Sequence, residues 1–199
     1  MNATSIAAIV AASIVLLILF FFRNKLNAFL KDASTIPDPS QRSYSLAKTI
    51  LAFWTFIIFF SICYIAIACG FLPTPTKGVL ILMGIAIATT TAGTTIDTIQ
   101  QQDPSIIRVQ DKVTKIGFLT DILSDAKGIS IHRFQVVMFN IIYGCSFVAI
   151  VVSEYRMIDF PSETLALLGI SSGTYALLKV SENTPPPANQ PPSSPPIGH

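Results

Sequence analysis

Charged residues are scarce in this chain, and five long stretches contain none. Asp, Glu, Lys and Arg make up 12% of its 199 residues, about half of their share in soluble domains. A helix of about 20 residues crosses the hydrocarbon core of a bilayer. Four of the stretches reach or approach that length, and the fifth is short enough to need flanking residues or a thin membrane. No polar face remains for a soluble bundle, so the sequence predicts an all-α integral membrane protein with five transmembrane helices. The uncharged stretches are 2–22, 49–76, 78–96, 134–153 and 164–178.

Residues that bind metals or nucleic acids are also few. Cys63, Cys69 and Cys145 lie in or at the ends of apolar runs without CxxC spacing, which indicates small buried side chains. The only histidines are His132 and His199. The net charge of +2 is too small to indicate nucleic acid binding. We therefore expect no metal site, no cofactor and no nucleic acid partner.

Catalytic motifs are missing as well. The apolar runs contain no carboxylate pair, no HExxH, no Ser/His/Asp set and no phosphate-binding glycine loop, so we do not expect an enzyme. Ion-coupled carriers place charged side chains within the membrane. The uncharged runs therefore disfavour an ion-coupled carrier, and Asp97, at the end of the third run, comes nearest to a charge within the membrane.

The Lys and Arg residues predict how the chain threads through the membrane. Connections 23–48 and 97–133 carry five basic residues each, whereas the other two connections contribute Lys77 and Arg156. Basic loops stay in the cytoplasm. The distribution therefore places the N-terminus outside and the C-terminus in the cytoplasm. Segment 5–22 lacks a basic leader and has a long apolar core, which indicates an uncleaved anchor.

These boundaries predict six segments. Residues 116–128 place several apolar side chains on one side of a helix, which would lie on lipid headgroups or pack against the ends of the spans. The segments are an anchor (1–23), a cytoplasmic linker (24–44), a first helical hairpin (45–97), a cytoplasmic loop with an amphipathic helix (98–129), a second hairpin (130–181) and a disordered Pro-rich tail (182–199).

An internal repeat relates the two hairpins. Shifting the sequence by 85 residues places Ser45 on Ser130 and Lys48 on Arg133 without a gap. Each hairpin has two spans, so both copies enter the membrane from the same side and form a parallel repeat. Five identical pairs also coincide: Leu80/Leu165, Leu82/Leu167, Gly84/Gly169, Ile85/Ile170 and Thr89/Thr174.

Small and hydroxyl residues interrupt the returning span of each hairpin. Gly84 and Ala88 are four residues apart, and Gly169 and Gly173 form a GxxxG pattern, which allows two helices in lipid to approach closely. These faces would serve either packing within one chain or assembly of several chains around a polar path. The neighbouring hydroxyl residues are Thr89, Ser171, Ser172 and Thr174.

Three further polar residues are candidates for a role in the membrane. Asn140 is the strongly polar amide in the fourth run, where it would bridge helices or constrict a pore. Lys48 and Arg133 begin equivalent spans, and we expect them to reach lipid phosphates at the interface.

The chain resembles a group of small bacterial inner-membrane proteins. The resemblance rests on SLAKTILAFW (45–54), FLTDILSDAKGISIHRFQ (118–135) and LLGISSGTY (167–175), and it covers roughly 43–182. It implies a multi-pass protein of the bacterial inner membrane and implies no mechanism, because the group has no assigned activity.

Two functions remain after these exclusions. One is a membrane scaffold or accessory subunit that uses the small-residue faces to bind a second copy or another membrane protein. The alternative is a homo-oligomeric pore lined by Ser and Thr hydroxyls. Membrane lipid is the expected surrounding in both cases.

Overall fold

The computed structural model describes residues 3–103, 105–106, 108, 111, 117–125 and 128–183. Within these residues the fold is almost entirely helical. A two-stranded antiparallel hairpin, β1 (Ser124–Asp125) and β2 (Gly128–Ile129), separates the fourth and fifth helices. The helices are α1 (Ala3–Phe29), α2 (Leu46–Cys69), α3 (Lys77–Gln102), α4 (Phe118–Leu123), α5 (Ile131–Glu154) and α6 (Ser162–Glu182).

Four helices are long and apolar enough to cross a membrane, which supports a membrane protein. They are α1 through its segment Ser5–Arg23, α2, α3 and α5. Helix α6 has 21 residues but is not among them. It carries Glu163 in its first turn and Lys179 in its last, and it contains the small and hydroxyl residues of LLGISSGTY.

The long helices α2, α3, α6 and α5 form a ring. Helix α2 packs on α3 and α5, and α6 packs on the same two helices. Helix α1 lies outside the ring against α2. Ala7 and Ala11 are buried in the shared core, one helical turn apart, which allows α1 to approach the ring closely.

Aromatic side chains fill the ring toward the turns that join α2 to α3 and α5 to α6. The Trp54 ring lies edge-on to Phe147 and Phe160, whose own rings stack with centroids 5.4 Å apart. Gly144 on α5 faces α2 so closely that a Cβ there would lie 2.7 Å from Phe53 Cε1. The glycine thereby leaves room on α5 for the Phe53 and Ile57 side chains of α2.

The ends of these helices follow from local chemistry. Gly70 ends α2 in the left-handed region with φ of +72°, and Tyr155 ends α5 there with φ of +56°, the usual helix stop. The Thr76 hydroxyl accepts from the Val79 N–H at the start of α3 and donates to the Ile158 carbonyl (3.0 Å). This bond ties the two turns together.

We call the opposite end of the ring the polar end, where α1, α3 and α6 finish and α2 and α5 begin. Helix α1 runs past the predicted anchor boundary at 23 to Phe29. In the predicted amphipathic segment 116–128, the described helix is the six-residue α4. Its Ile122 is buried with Leu46 and Val136, whereas Leu119 is exposed. The predicted Pro-rich tail lies outside the described residues from 184 onward.

Candidate functional site: buried charges at the polar end

A buried lysine lies at the centre of the polar end. Lys179 is in the last turn of α6, and its side chain is 1% exposed. Its Nζ donates to Asp97 Oδ2 on α3 (2.9 Å) and to Asp32 Oδ2 in the segment after α1 (3.3 Å). The Asp97 side chain is fully buried. A buried charge is tolerated only when it is paired, so this contact holds α3, α6 and the segment after α1 together.

Arg108 brings the segment beyond α3 into the same cluster. This arginine is 3% exposed. Its Nη2 donates to the Ala33 carbonyl (2.7 Å) and lies 3.5 Å from Asp97 Oδ1. Among the described residues, Asp97 Oδ1 and Arg108 Nε and Nη1 have no hydrogen-bond partner. The pair is therefore held by charge and burial, and only the Nη2 donor has a fixed acceptor.

Asp111 fastens this segment to residues 34 and 35. Its Oδ1 accepts from the Ser34 hydroxyl (2.8 Å) and the Thr35 N–H (2.9 Å). Burial alone would raise the pKa of Asp111, but these hydrogen bonds and the charge of Arg108 lower it below the ordinary 3.8. The ionised carboxylate is thus the form that the fold stabilises.

Acid should release the Asp111 contact. Because folding lowers the pKa of Asp111, its carboxylate stabilises the folded state fully above pH 3.8. This stabilisation is lost as the pH falls through the pKa that Asp111 has in the folded state. We expect Asp111→Asn, which mimics protonation, to accelerate amide exchange at Thr35 at neutral pH. Asp103→Asn is the control, because Asp103 is exposed and binds Ser105 in its own turn. NMR-detected hydrogen exchange measures both, and unchanged exchange at Thr35 would contradict the assignment.

The segment between α1 and α2 is folded over the cluster. Lys31 Nζ donates to the Ser40 and Arg42 carbonyls (2.9 and 2.6 Å) and lies over the Tyr44 ring. The Tyr44 N–H donates to Asp121 Oδ2 on α4 (3.1 Å). Burial raises the pKa of Asp121, and the Tyr44 N–H partly offsets that rise. Much of the predicted linker 24–44 is therefore structured, and we call the segment between α1 and α2, residues 30–45, the lid of the polar end.

Lys48 and Arg133 both have protein partners here. Lys48 Nζ donates to the Lys31 carbonyl (2.7 Å). Arg133 Nη2 donates to both carboxylate oxygens of Glu182 (3.1 and 2.9 Å), and its guanidinium lies 5.3 Å from the Tyr175 ring centroid. The expected contact of these two cations with lipid phosphates stays a prediction.

The small residues that the sequence predicts at helix contacts fall into two groups, exposed ones and one that faces another helix. Gly84, Ala88 and Gly173 are exposed, and a Cβ at Gly84 or Gly173 would meet nothing within 4 Å. Gly169 faces α3, where a Cβ would lie 3.6 Å from Ile85 Cδ1. Three of these small residues are thus free of close packing within the described part of the chain.

The predicted polar residues mostly face other helices. Asn140 Oδ1 accepts from Trp54 Nε1 on α2 (2.6 Å), and its Nδ2 donates to the Val136 carbonyl. The Thr89 hydroxyl donates to the Ile85 carbonyl (2.8 Å). Ser172 is buried, and Ser171 and Thr174 are half-buried. Thr89 and Ser172 line a small cavity of about 10 Å³ between α2, α3, α5 and α6.

Sequence reasoning missed the pairing of Lys179. The sequence identifies Asp97 only as a charge at the end of a run, and it gives no reason to single out Lys179, which follows the uncharged stretch 164–178. One feature of the sequence indicates that a carboxylate belongs at this position. Asp97 and Glu182 are 85 residues apart and are thus equivalent in the predicted repeat. Lys179 corresponds to Thr94, so the second copy alone places a cation there.

The site offers ion pairs and hydroxyls rather than metal ligands. Among the described residues, no group of three His, Cys, Asp or Glu side chains is close enough to hold a metal ion. No protein-family model matches the chain, and no curated protein or solved structure matches it significantly.

Proposed function

We propose that the protein is a scaffold or accessory subunit of the bacterial inner membrane, which assembles through its uncovered small-residue helix faces. The observation that carries the proposal is the exposure of Gly84 and Ala88 on α3. Glycine and alanine on a lipid-facing surface contribute little packing with lipid, but they allow another helix to approach closely. A second copy of this chain or another membrane protein would provide that helix.

Five spans and a cytoplasmic polar end are part of this proposal. Helix α6 follows α3 along its length, since Gly169 lies beside Ile85 and Lys179 beside Asp97. A helix of 21 residues is about 31 Å long, enough to cross the hydrocarbon core. The other end has Lys77 and Arg156, and the basic excess at the polar end supports its cytoplasmic location. The basic residues near the polar end include Arg23, Lys25, Lys31, Arg42, Lys48, Arg108, Arg133 and Lys179.

The helix boundaries support duplication of a two-helix unit. Helices α2 and α5 each have 24 residues and start at 46 and 131, a separation of 85 residues. Helices α3 and α6 start at 77 and 162, with the same separation. Left-handed residues end both first helices at equivalent positions, Gly70 and Tyr155. Equivalent backbone geometry at equivalent positions is what a parallel repeat predicts.

The ring favours a scaffold over a pore within one chain. Trp54 and Phe147 are fully buried between the helices, and the central cavity of about 10 Å³ has room for about one water molecule. The hydroxyls of Thr89 and Thr94 bond to carbonyls of their own helix, which satisfies them without water.

A pore between copies is the alternative that one feature favours. Thr91 and Thr95 are exposed on α3 and continue the face of Gly84 and Ala88 at helical spacing. Copies arranged with these faces toward a common axis would line a path with hydroxyls.

The expected result for Gly84→Leu with Ala88→Leu is loss of assembly with the monomer fold retained, because both residues are exposed and a Cβ at Gly84 meets nothing within 4 Å. Light scattering in mild detergent should show a wild-type complex heavier than the 21.5 kDa chain, or a co-purifying membrane protein, and about a tenfold or greater weakening in the variant. Gly84→Ala is the control, because it keeps the surface small.

A flux assay on the same sample in vesicles distinguishes the two functions. A scaffold gives no ion leak. A wild-type leak that Thr91→Leu abolishes, without loss of mass, would establish the pore instead. A wild-type protein that is monomeric and has no partner would contradict both.

A further inference from the structure

A pocket opens between the start of α5 and the end of α6 at the polar end. Its volume is about 290 Å³, close to the lower limit of about 300 Å³ for small-molecule sites. The lining combines cations, carboxylates and hydroxyls. The described residues that line it are Asp125, Ser130, His132, Arg133, Tyr175, Leu178, Lys179, Ser181 and Glu182.

The hydroxyl of Tyr175 is a second, independent observation that points to a ligand. This tyrosine lines the pocket and is 4% exposed. Its hydroxyl has no hydrogen-bond partner among the described residues, although buried hydroxyls are normally paired. The neighbouring Arg133 binds Glu182 through Nη2, and a guanidinium carries five N–H donors in all. The tyrosine and the arginine can both donate to an oxygen-rich acceptor.

The charges of the lining select the kind of acceptor. The cations of the lining already have carboxylate partners in the fold, because Arg133 binds Glu182 and Lys179 binds Asp97 and Asp32. The pocket therefore has no surplus positive charge to balance a purely anionic ligand, and a purely cationic ligand would give the Tyr175 hydroxyl no acceptor. A zwitterion brings its own counter-charge, and its phosphate can accept from Arg133 and the Tyr175 hydroxyl.

The surroundings of the pocket indicate where such a zwitterion comes from. Leu178 lines the pocket and is 43% exposed, and Ile131 and Phe134 at the start of α5 are also exposed. These apolar side chains offer a surface for acyl chains next to a polar pocket. We propose that the pocket between α5 and α6 binds the headgroup of a zwitterionic phospholipid, with Tyr175 and Arg133 donating to its phosphate.

Titration of the full-length protein with short-chain phosphatidylethanolamine and phosphatidylglycerol tests this site. The protein is delipidated in detergent, and native mass spectrometry counts the bound lipid. We expect saturable binding of one phosphatidylethanolamine, at least about tenfold tighter than phosphatidylglycerol. Tyr175→Phe should weaken the binding of phosphatidylethanolamine by about tenfold, which is the effect of losing one hydrogen bond to a charged group.

Tyr143→Phe is the matched control, since it removes a hydroxyl from α5 outside the pocket lining. Equal binding of the two lipids by the wild type, or equal loss in the two tyrosine variants, would overturn the proposal. Glycerophosphoethanolamine forms a further arm: if this free headgroup competes as well as the lipid does, the lipid is not the source. The comparison of lipids in the wild type needs no variant, so the test survives a folding defect in Tyr175→Phe.

Discussion

Lys179→Met should lower the free energy of unfolding by about 3–5 kcal/mol, the cost of leaving one partner of a buried ion pair unpaired. Methionine fills the space of the lysine stem, so the effect comes from the charge. The carboxylates of Asp97 and Asp32 would then lie buried without the ammonium group that binds both. Arg108 remains 3.5 Å from Asp97, which places the expected loss toward the lower value. Denaturant titration followed by the fluorescence of Trp54, the single tryptophan, measures it.

Two further variants isolate the role of charge. Lys77→Met is the control, because Lys77 is exposed at the other end of the ring and should change stability by less than about 0.5 kcal/mol. Lys179→Met combined with Asp97→Asn should recover part of the loss, since it removes one of the two stranded charges. A loss in Lys179→Met no larger than in Lys77→Met would show that the cluster does not stabilise the fold.

Gly144→Leu should lower the free energy of unfolding by about 3 kcal/mol or more, at the upper end of the cost of overpacking a core. Its Cβ alone would lie 2.7 Å from Phe53 Cε1 and 2.8 Å from Ile57 Cδ1, so these two side chains must move to accept leucine, and leucine is larger than a Cβ alone. The same denaturant titration measures the loss.

Gly173→Leu is the matched control for Gly144→Leu, because a Cβ at Gly173 meets nothing within 4 Å. Both substitutions gain the same helix propensity, about 0.8 kcal/mol, so their difference reports packing alone. Similar stability of the two variants would mean that the Phe53 and Ile57 side chains do not require a glycine at position 144.

The membrane helices could be predicted because their signal is local. A bilayer span needs a long uncharged run, and the runs 49–76 and 134–153 overlap most of α2 and α5. Helix α6 gives a weaker signal because its hydroxyls and terminal charges reduce its apolar character.

The direction in which a small residue faces could not be predicted. A GxxxG pattern shows that a helix can be approached closely, but not whether the approaching helix belongs to the same chain. Within the described structure, Ala11 and Gly144 serve packing of the chain on itself, whereas Gly84 and Gly173 are uncovered. The choice depends on how the helices are arranged in the ring, which a local pattern does not contain.

The charge cluster was missed because its partners are distant in sequence. Lys179 pairs with residues 82 and 147 positions earlier, and no local spacing indicates such a contact. The lid is held largely by carbonyl oxygens, such as those of Ser40 and Arg42 that bind Lys31. Every residue type carries a carbonyl, so the sequence gives no sign of these bonds.

The pairing of Lys179 has a consequence for biogenesis. On the proposed five-span topology, α6 is synthesised after the other four spans and enters the bilayer with a lysine near its end. Asp32 and Asp97 have already been synthesised at that moment, so the counter-charges are in place before the lysine arrives. Helix α6 would then leave the insertion machinery by docking on the earlier helices rather than by partitioning alone into lipid.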